Sequence, residues 1–162
     1  MRSWSTALLA TLLAGSTLVA ASGPRKAWQI SPFTWIKCVP AEAGAAPNGH
    51  PLQADPAVLE QALKTVRFVH GAKEEALFSA QEAQALSKIL AEALEAAGPG
   101  EDLELLSTSK REAWLLDPSL TITARLFATD GRLNLLVHDT RLDFVYTYYM
   151  DFRMPKFVFG SR

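Results

Sequence analysis

The chain has 162 residues, 49% of them apolar, and a formal net charge of −1. That length and apolar content suit one globular domain, and 16 basic against 17 acidic side chains give no cationic surface of the kind nucleic acid demands. With one cysteine, Cys38, no internal disulfide can form, so the fold must stand on its core.

Residues 1–21 read as a secretory signal peptide. Arg2 supplies the positive start, residues 7–19 are largely apolar without a charge, and Val19, Ala20 and Ala21 offer small side chains for cleavage before Ser22. An uncleaved signal anchor is the competing reading. The run is slightly short of the ~17 residues a membrane span needs, Gly15, Ser16 and Thr17 dilute it, and only Arg25 and Lys26 follow as a stop-transfer signal. Export places the mature chain in an oxidising periplasmic or extracellular setting. Cys38 lacks the small residues that precede a lipidated cysteine, so an ordinary buried or half-buried thiol is expected.

Residues 22–54 read as an aromatic leader followed by a Pro/Ala-rich linker. Trp28, Phe33, Trp35 and Ile36 stand in a stretch that fits an edge strand, a segment packed on the sheet, or a partner-binding arm. Residues 40–54 have no period and read as a loop, with His50 solvated within it.

Residues 55–162 are expected to form a single α+β domain. Asp55 and Pro56 suit the N-cap and first position of a helix over 56–64, which carries Val58, Leu59, Ala62 and Leu63 at helical spacing. Residues 65–70 then read as a short strand stopped by Gly71. A second helix is announced by the capping box of Ser79 and Glu82, by Phe78 as a hydrophobic staple, and by the stop at Gly98 and Pro99. Its apolar stripe runs through Ala83, Leu86, Leu90, Ala93, Leu94 and Ala97 and needs a surface to cover. Residues 103–108 and 113–117 read as a hairpin around 109–112.

The clearest element is a hairpin within residues 119–144, turning at Asp130 and Gly131 as a type I′ turn requires. Counting outward pairs Thr129 with Arg132, Leu126 with Leu135, Ala124 with Val137 and Thr123 with His138. Leu126, Leu133 and Leu135 then share a core face with the helical stripe as its natural partner, while Thr123, Arg125, Arg132, Asn134 and His138 share the polar face. Phe127 and Leu136 break the pattern, as an exposed patch or as side chains lying under a loop. Beyond Asp143, the alternation of Phe144, Tyr146 and Tyr148 predicts a strand, and Met154 and Pro155 break the chain before a last strand at 156–159. The expected architecture is α+β: an antiparallel sheet of five or six strands with two helices packed on one face, preceded by the signal peptide.

Chemistry is sparsely signalled. His138, Asp139 and Asp143 are the nearest approach to a reactive cluster, but in a regular strand His138 and Asp139 point to opposite faces. No second histidine stands at a ligand spacing, so no metal is expected. There is no G-x-S-x-G, G-x-G-x-x-G, Walker loop or C-x-x-C, so no cofactor is expected either. The candidate binding groups are Arg125, Arg132, Asn134 and His138, which could receive an anion, and Trp28, Trp35, Tyr146 and Tyr148, whose rings could stack on a sugar or a partner.

The leading expectation is a non-enzymatic exported protein, periplasmic or secreted, that binds or assembles with another envelope protein. Nucleic acid is not expected as a partner, and membrane association is expected only through an uncleaved signal segment. Two alternatives stand beside it: a small hydrolase or lyase using His138 with a nearby carboxylate, and an inhibitor or immunity protein presenting Arg141 or the 109–112 turn.

Overall fold

A computed structural model describes residues 26–110 and 119–162. The signal segment at 1–21 and the run 113–117 lie outside the described residues. In chain order the elements are β1 (Ala27–Ser31), β2 (Thr34–Pro40), α1 (Pro56–Thr65), β3 (Arg67–His70), β4 (Lys73–Ala76), α2 (Ala80–Ala96), β5 (Glu101–Lys110), β6 (Ser119–Thr129), β7 (Arg132–Leu142) and α3 (Val145–Asp151). Five of the strands form one antiparallel sheet in the order β1-β2-β5-β6-β7, and β3 pairs with β4 in a separate small hairpin. The protein is an α+β fold.

Local chemistry explains most of these elements. Asp55 accepts the Ala57 backbone N–H at 2.8 Å and starts α1. The Ser79 hydroxyl accepts the Glu82 N–H at 3.1 Å, while the Glu82 carboxylate accepts the Ser79 N–H at 2.9 Å, closing the capping box that starts α2. Asp130 and Gly131 both take positive φ, 52° and 70°, as the I′ turn between β6 and β7 demands.

One face of the sheet carries the main core. Leu86, Leu90, Ala93 and Leu94 of α2 are buried with Ile36, Cys38, Leu103, Leu105, Ile122, Ala124 and Leu126 from the strands. Leu133, Leu135 and Val137 of β7 pack half-buried against this cluster, and Leu59 and Leu63 of α1 complete it. Residues 27–40 of the aromatic leader thus supply two strands of the same sheet, and Ile36 stands in the core. The strand beside β5 is β6 itself.

The opposite face is covered by chain rather than by helix. Residues 155–162 lie across it, with Phe159 against Trp35 at a ring distance of 5.5 Å and Leu106 buried beneath. This segment, expected at 156–159 as a last strand, forms no strand. The expected strand through Phe144, Tyr146 and Tyr148 is also corrected: residues 145–151 are the helix α3, giving three helices among the described residues. The spacing of Phe144 and Tyr148 is as much a helical i, i+4 as a strand's alternation. Phe33 decides between them, since the Phe144 and Tyr148 rings both meet it edge-on, at 5.3 and 5.1 Å, while Tyr146 points outward.

Candidate functional site

The polar face of the β6–β7 hairpin is closed by ion pairs. Arg125 is 9% exposed; its guanidinium lies 3.1 Å from the Asp102 carboxylate, 3.6 Å from Glu104 and 3.8 Å from Glu42, and its Nε donates to the Gly160 carbonyl at 3.1 Å. Asp102, fully buried, also receives Arg162 on both carboxylate oxygens at 3.1 Å and the Asn48 amide at 2.6 Å. The Asn48 oxygen in turn accepts the Ala128 N–H at 2.9 Å. Arg125 is therefore already neutralised and is not placed to receive an external anion. Glu42 accepts the Ser161 hydroxyl and the Arg162 N–H, which with nearby Arg125 hold its carboxyl below the usual carboxylate range.

The other polar-face candidates do not converge on Arg125. Arg132 is exposed beside the turn. The Asn134 amide is spent on its own hairpin, donating to Thr129 Oγ1 at 3.0 Å and to the Arg132 and Phe127 carbonyls at 3.3 and 3.4 Å. Phe127 and Leu136 lie under the C-terminal segment: the Arg162 guanidinium sits 4.8 Å over the Phe127 ring, and Gly160 passes directly over Leu136.

His138 and Asp139 are brought together by an irregular strand. The register counted from the turn holds as far as Ala124 opposite Val137, but then Thr123 faces Asp139 rather than His138, and Thr121 faces Leu142. β7 thus carries extra residues at two points, and such bulges re-aim side chains. The expected separation of His138 from Asp139 on opposite faces is corrected accordingly. His138 Nδ1 lies 3.0 Å from Asp139 Oδ2, the same oxygen accepts the Thr123 hydroxyl at 2.8 Å, and the Asp139 N–H donates to Thr123 Oγ1 at 3.1 Å. This chain fixes one ring nitrogen of a half-exposed imidazole and leaves Nε2 directed away from the carboxylate. Asp143 is exposed beyond β7 and takes no part in the chain. Neither His138 nor its carboxylate partner lines any of the described clefts.

No group of three His, Cys, Asp or Glu side chains among the described residues is placed to hold a metal. Cys38 is buried in the core, where desolvation and the nearby Glu101 push its thiol up to about 11, so it carries little thiolate at neutral pH. His50 is not solvated as its loop composition suggests. It is 4% exposed, neither ring nitrogen has a hydrogen-bond partner among the described residues, and burial lowers its pKa.

The aromatic candidates divide sharply. Trp28 packs half-buried on the core, and Trp35 is buried under Phe159 with the Lys37 ammonium 3.8 Å over its ring. Tyr148 is half-buried against Phe33. Tyr146 is 71% exposed, and α3 adds Tyr149 at 62%, Met150 at 67% and the C-cap Phe152 at 77%. Phe152 adopts the left-handed conformation at φ 56°, which a bulky side chain rarely takes. Met150 escaped the reading of the sequence. Its signal was present as the i, i+3, i+4 spacing of Tyr146, Tyr149 and Met150, legible only once this stretch is known to be helical.

No helix among the described residues is long and apolar enough to cross a membrane. Comparison of the chain with protein-family models, with curated proteins and with solved structures returns no match in any of the three.

Proposed function

We propose that the protein is a non-enzymatic exported protein, periplasmic or secreted, that binds or assembles with another envelope protein through the aromatic platform of α3. The observation that carries the reading is the exposure of Tyr146, Tyr149, Met150 and Phe152 within seven residues of chain. Contiguous apolar surface of this kind is uncommon on monomers and marks contact sites, and aromatic and Met side chains are those enriched there. Phe152 adds a second argument, because a bulky residue held at positive φ carries a backbone cost while most of its side chain, set edge-on to the Tyr148 ring, stays exposed. The platform rests on Phe33, Phe144 and Tyr148, so its geometry is set by the sheet before any partner arrives.

A hydrolase or lyase reading draws support from the oriented His138–Asp139 pair, but neither residue lines any of the clefts found among the described residues. The experiment that separates the readings is site-specific photocrosslinking in the producing cell. A crosslinker at Tyr149 is expected to trap a discrete envelope protein, with loss of the adduct in Phe152→Ser. A crosslinker at the equally exposed Val69 is expected to trap nothing. Equal trapping at both positions, or none at Tyr149, would remove the proposal.

A further inference from the structure

His50 is a buried imidazole, 4% exposed, and neither ring nitrogen has a hydrogen-bond partner among the described residues. The charged side chains that act on it are Asp102 and Glu101 of β5, which favour its protonation, and Arg162 of the C-terminal segment, which opposes it. Its own loop fastens it beside β5. Asn48, two residues earlier, donates to the Asp102 carboxylate at 2.6 Å, and the Gly49 N–H donates to the Ala128 carbonyl at 2.8 Å. We infer that His50 and Arg162 compete for Asp102, so that in acid the imidazolium takes that carboxylate and releases the end of the C-terminal segment from the sheet.

The charges around Asp102 decide which cation leaves. Asp102 has no exposed surface and already holds two guanidinium groups, Arg125 at 3.1 Å and Arg162 on both oxygens at 3.1 Å. An imidazolium, with two N–H donors, would be a third cation at one buried carboxylate. Glu101 is turned elsewhere, to the Gly98 N–H at 2.8 Å and to Lys26 at 3.9 Å. Arg125 is fixed in β6, between β5 and β7, and keeps Glu104 at 3.6 Å and Glu42 at 3.8 Å. Arg162 has no strand to hold it. Apart from Asp102, it is tied by a 3.0 Å bond to the Ala46 carbonyl and by its backbone N–H to Glu42 at 2.9 Å. Arg162 is therefore the cation that gives way.

Its departure uncovers apolar surface. The Arg162 guanidinium lies 4.8 Å over the Phe127 ring, and Gly160 passes over Leu136. Leu86 and Leu90 of α2 belong to the core on the other face of the sheet and take no part in the exchange. The device is separate from the α3 platform, and each stands or falls alone.

The test is an NMR titration of the full chain between pH 7 and pH 5. Contacts of Arg162 with the Phe127 ring and of Gly160 with Leu136 are expected to fade as the His50 ring titrates, while the methyl signals of Leu86 and Leu90 stay in place. In His50→Gln both contacts are expected to persist at pH 5, and His50→Leu serves if that variant does not fold. Competition is reciprocal, so Arg162→Gln is expected to raise the proton affinity of His50 about threefold or more. Four results would each overturn the exchange: both contacts intact at pH 5 in the wild type, their loss in the His50 variant as well, their loss only together with the α2 methyl signals, or an unmoved His50 titration in Arg162→Gln.

Discussion

His50 shows how little of a residue's environment its own neighbours in sequence decide. The stretch around it, rich in Pro, Gly and Asn, reads as a solvated loop. In the fold, Asn48 binds Asp102, Gly49 donates to the Ala128 carbonyl and Leu52 donates to the Leu94 carbonyl, so the loop is drawn down and the imidazole with it. Desolvation then disfavours its charged form, and Arg162 acts in the same direction, while Asp102 and Glu101 oppose them. Because the folded pKa lies below the unfolded value near 6.5, the unfolded chain takes up a proton first as the pH falls. Stability is therefore whole above about pH 6.5 and declines below it, by up to about 1.4 kcal/mol per pH unit for this one group. Urea midpoints measured at pH 7 and pH 5 are expected to differ more in the wild type than in His50→Gln. A parallel fall in both proteins would assign the acid sensitivity to other groups. Glu42, whose pKa is lowered, titrates in a separate and more acidic window and does not confuse the comparison.

At the scale of elements, what is written locally was readable and what depends on a distant partner was not. The capping box of α2, its apolar stripe and the Asp130–Gly131 turn each need only residues a few positions apart, and all three are found. α3 needed Phe33, more than a hundred residues earlier, to choose between periods. The paired His138 and Asp139 needed the bulge, which nothing in the alternation of β7 announces. The C-terminal segment is the other unread element, since it joins no ladder and is held by side chains. Gly160 is its tightest point: φ is +82°, and a Cβ there would fall 2.0 Å from Leu136 Cδ2. Gly160→Ala is expected to cost about 1–2 kcal/mol through the left-handed backbone alone. Hydrogen exchange should quicken over 155–162 and stay unchanged in α2; uniform loss of protection would deny the segment its local role.

For the whole molecule, the two faces of the sheet are held by different physics. The helix face is an aliphatic core, and its residues were legible as two apolar stripes of different period that fit together. The other face is tied through Asp102, a carboxylate with no exposed surface that joins β5, Arg125 of β6, Asn48 of the loop and Arg162 of the C-terminal segment. No local pattern marks Asp102, because its partners come from three separate parts of the chain. Asp102→Ala leaves two buried guanidinium groups without their shared counter-charge, and removing one side of a buried pair costs roughly 3–5 kcal/mol. Urea denaturation is the direct measure, and a loss under about 1 kcal/mol would show that Glu42 and Glu104 suffice for Arg125 and that Arg162 does not depend on the buried carboxylate.

The two irregularities of β7 also bear on how molecules meet at high concentration. β7 is an outer strand of the sheet, and a long outer strand is ordinarily an invitation for a second copy to zip alongside. Here the amide and carbonyl groups keep a regular beat only over 132–137 before the first extra residue shifts the phase and the second shifts it again. A neighbouring strand laid along β7 would fall out of step within half its length. The same distortion that joins an imidazole to a carboxylate therefore acts as a guard against fibre growth from that side of the protein.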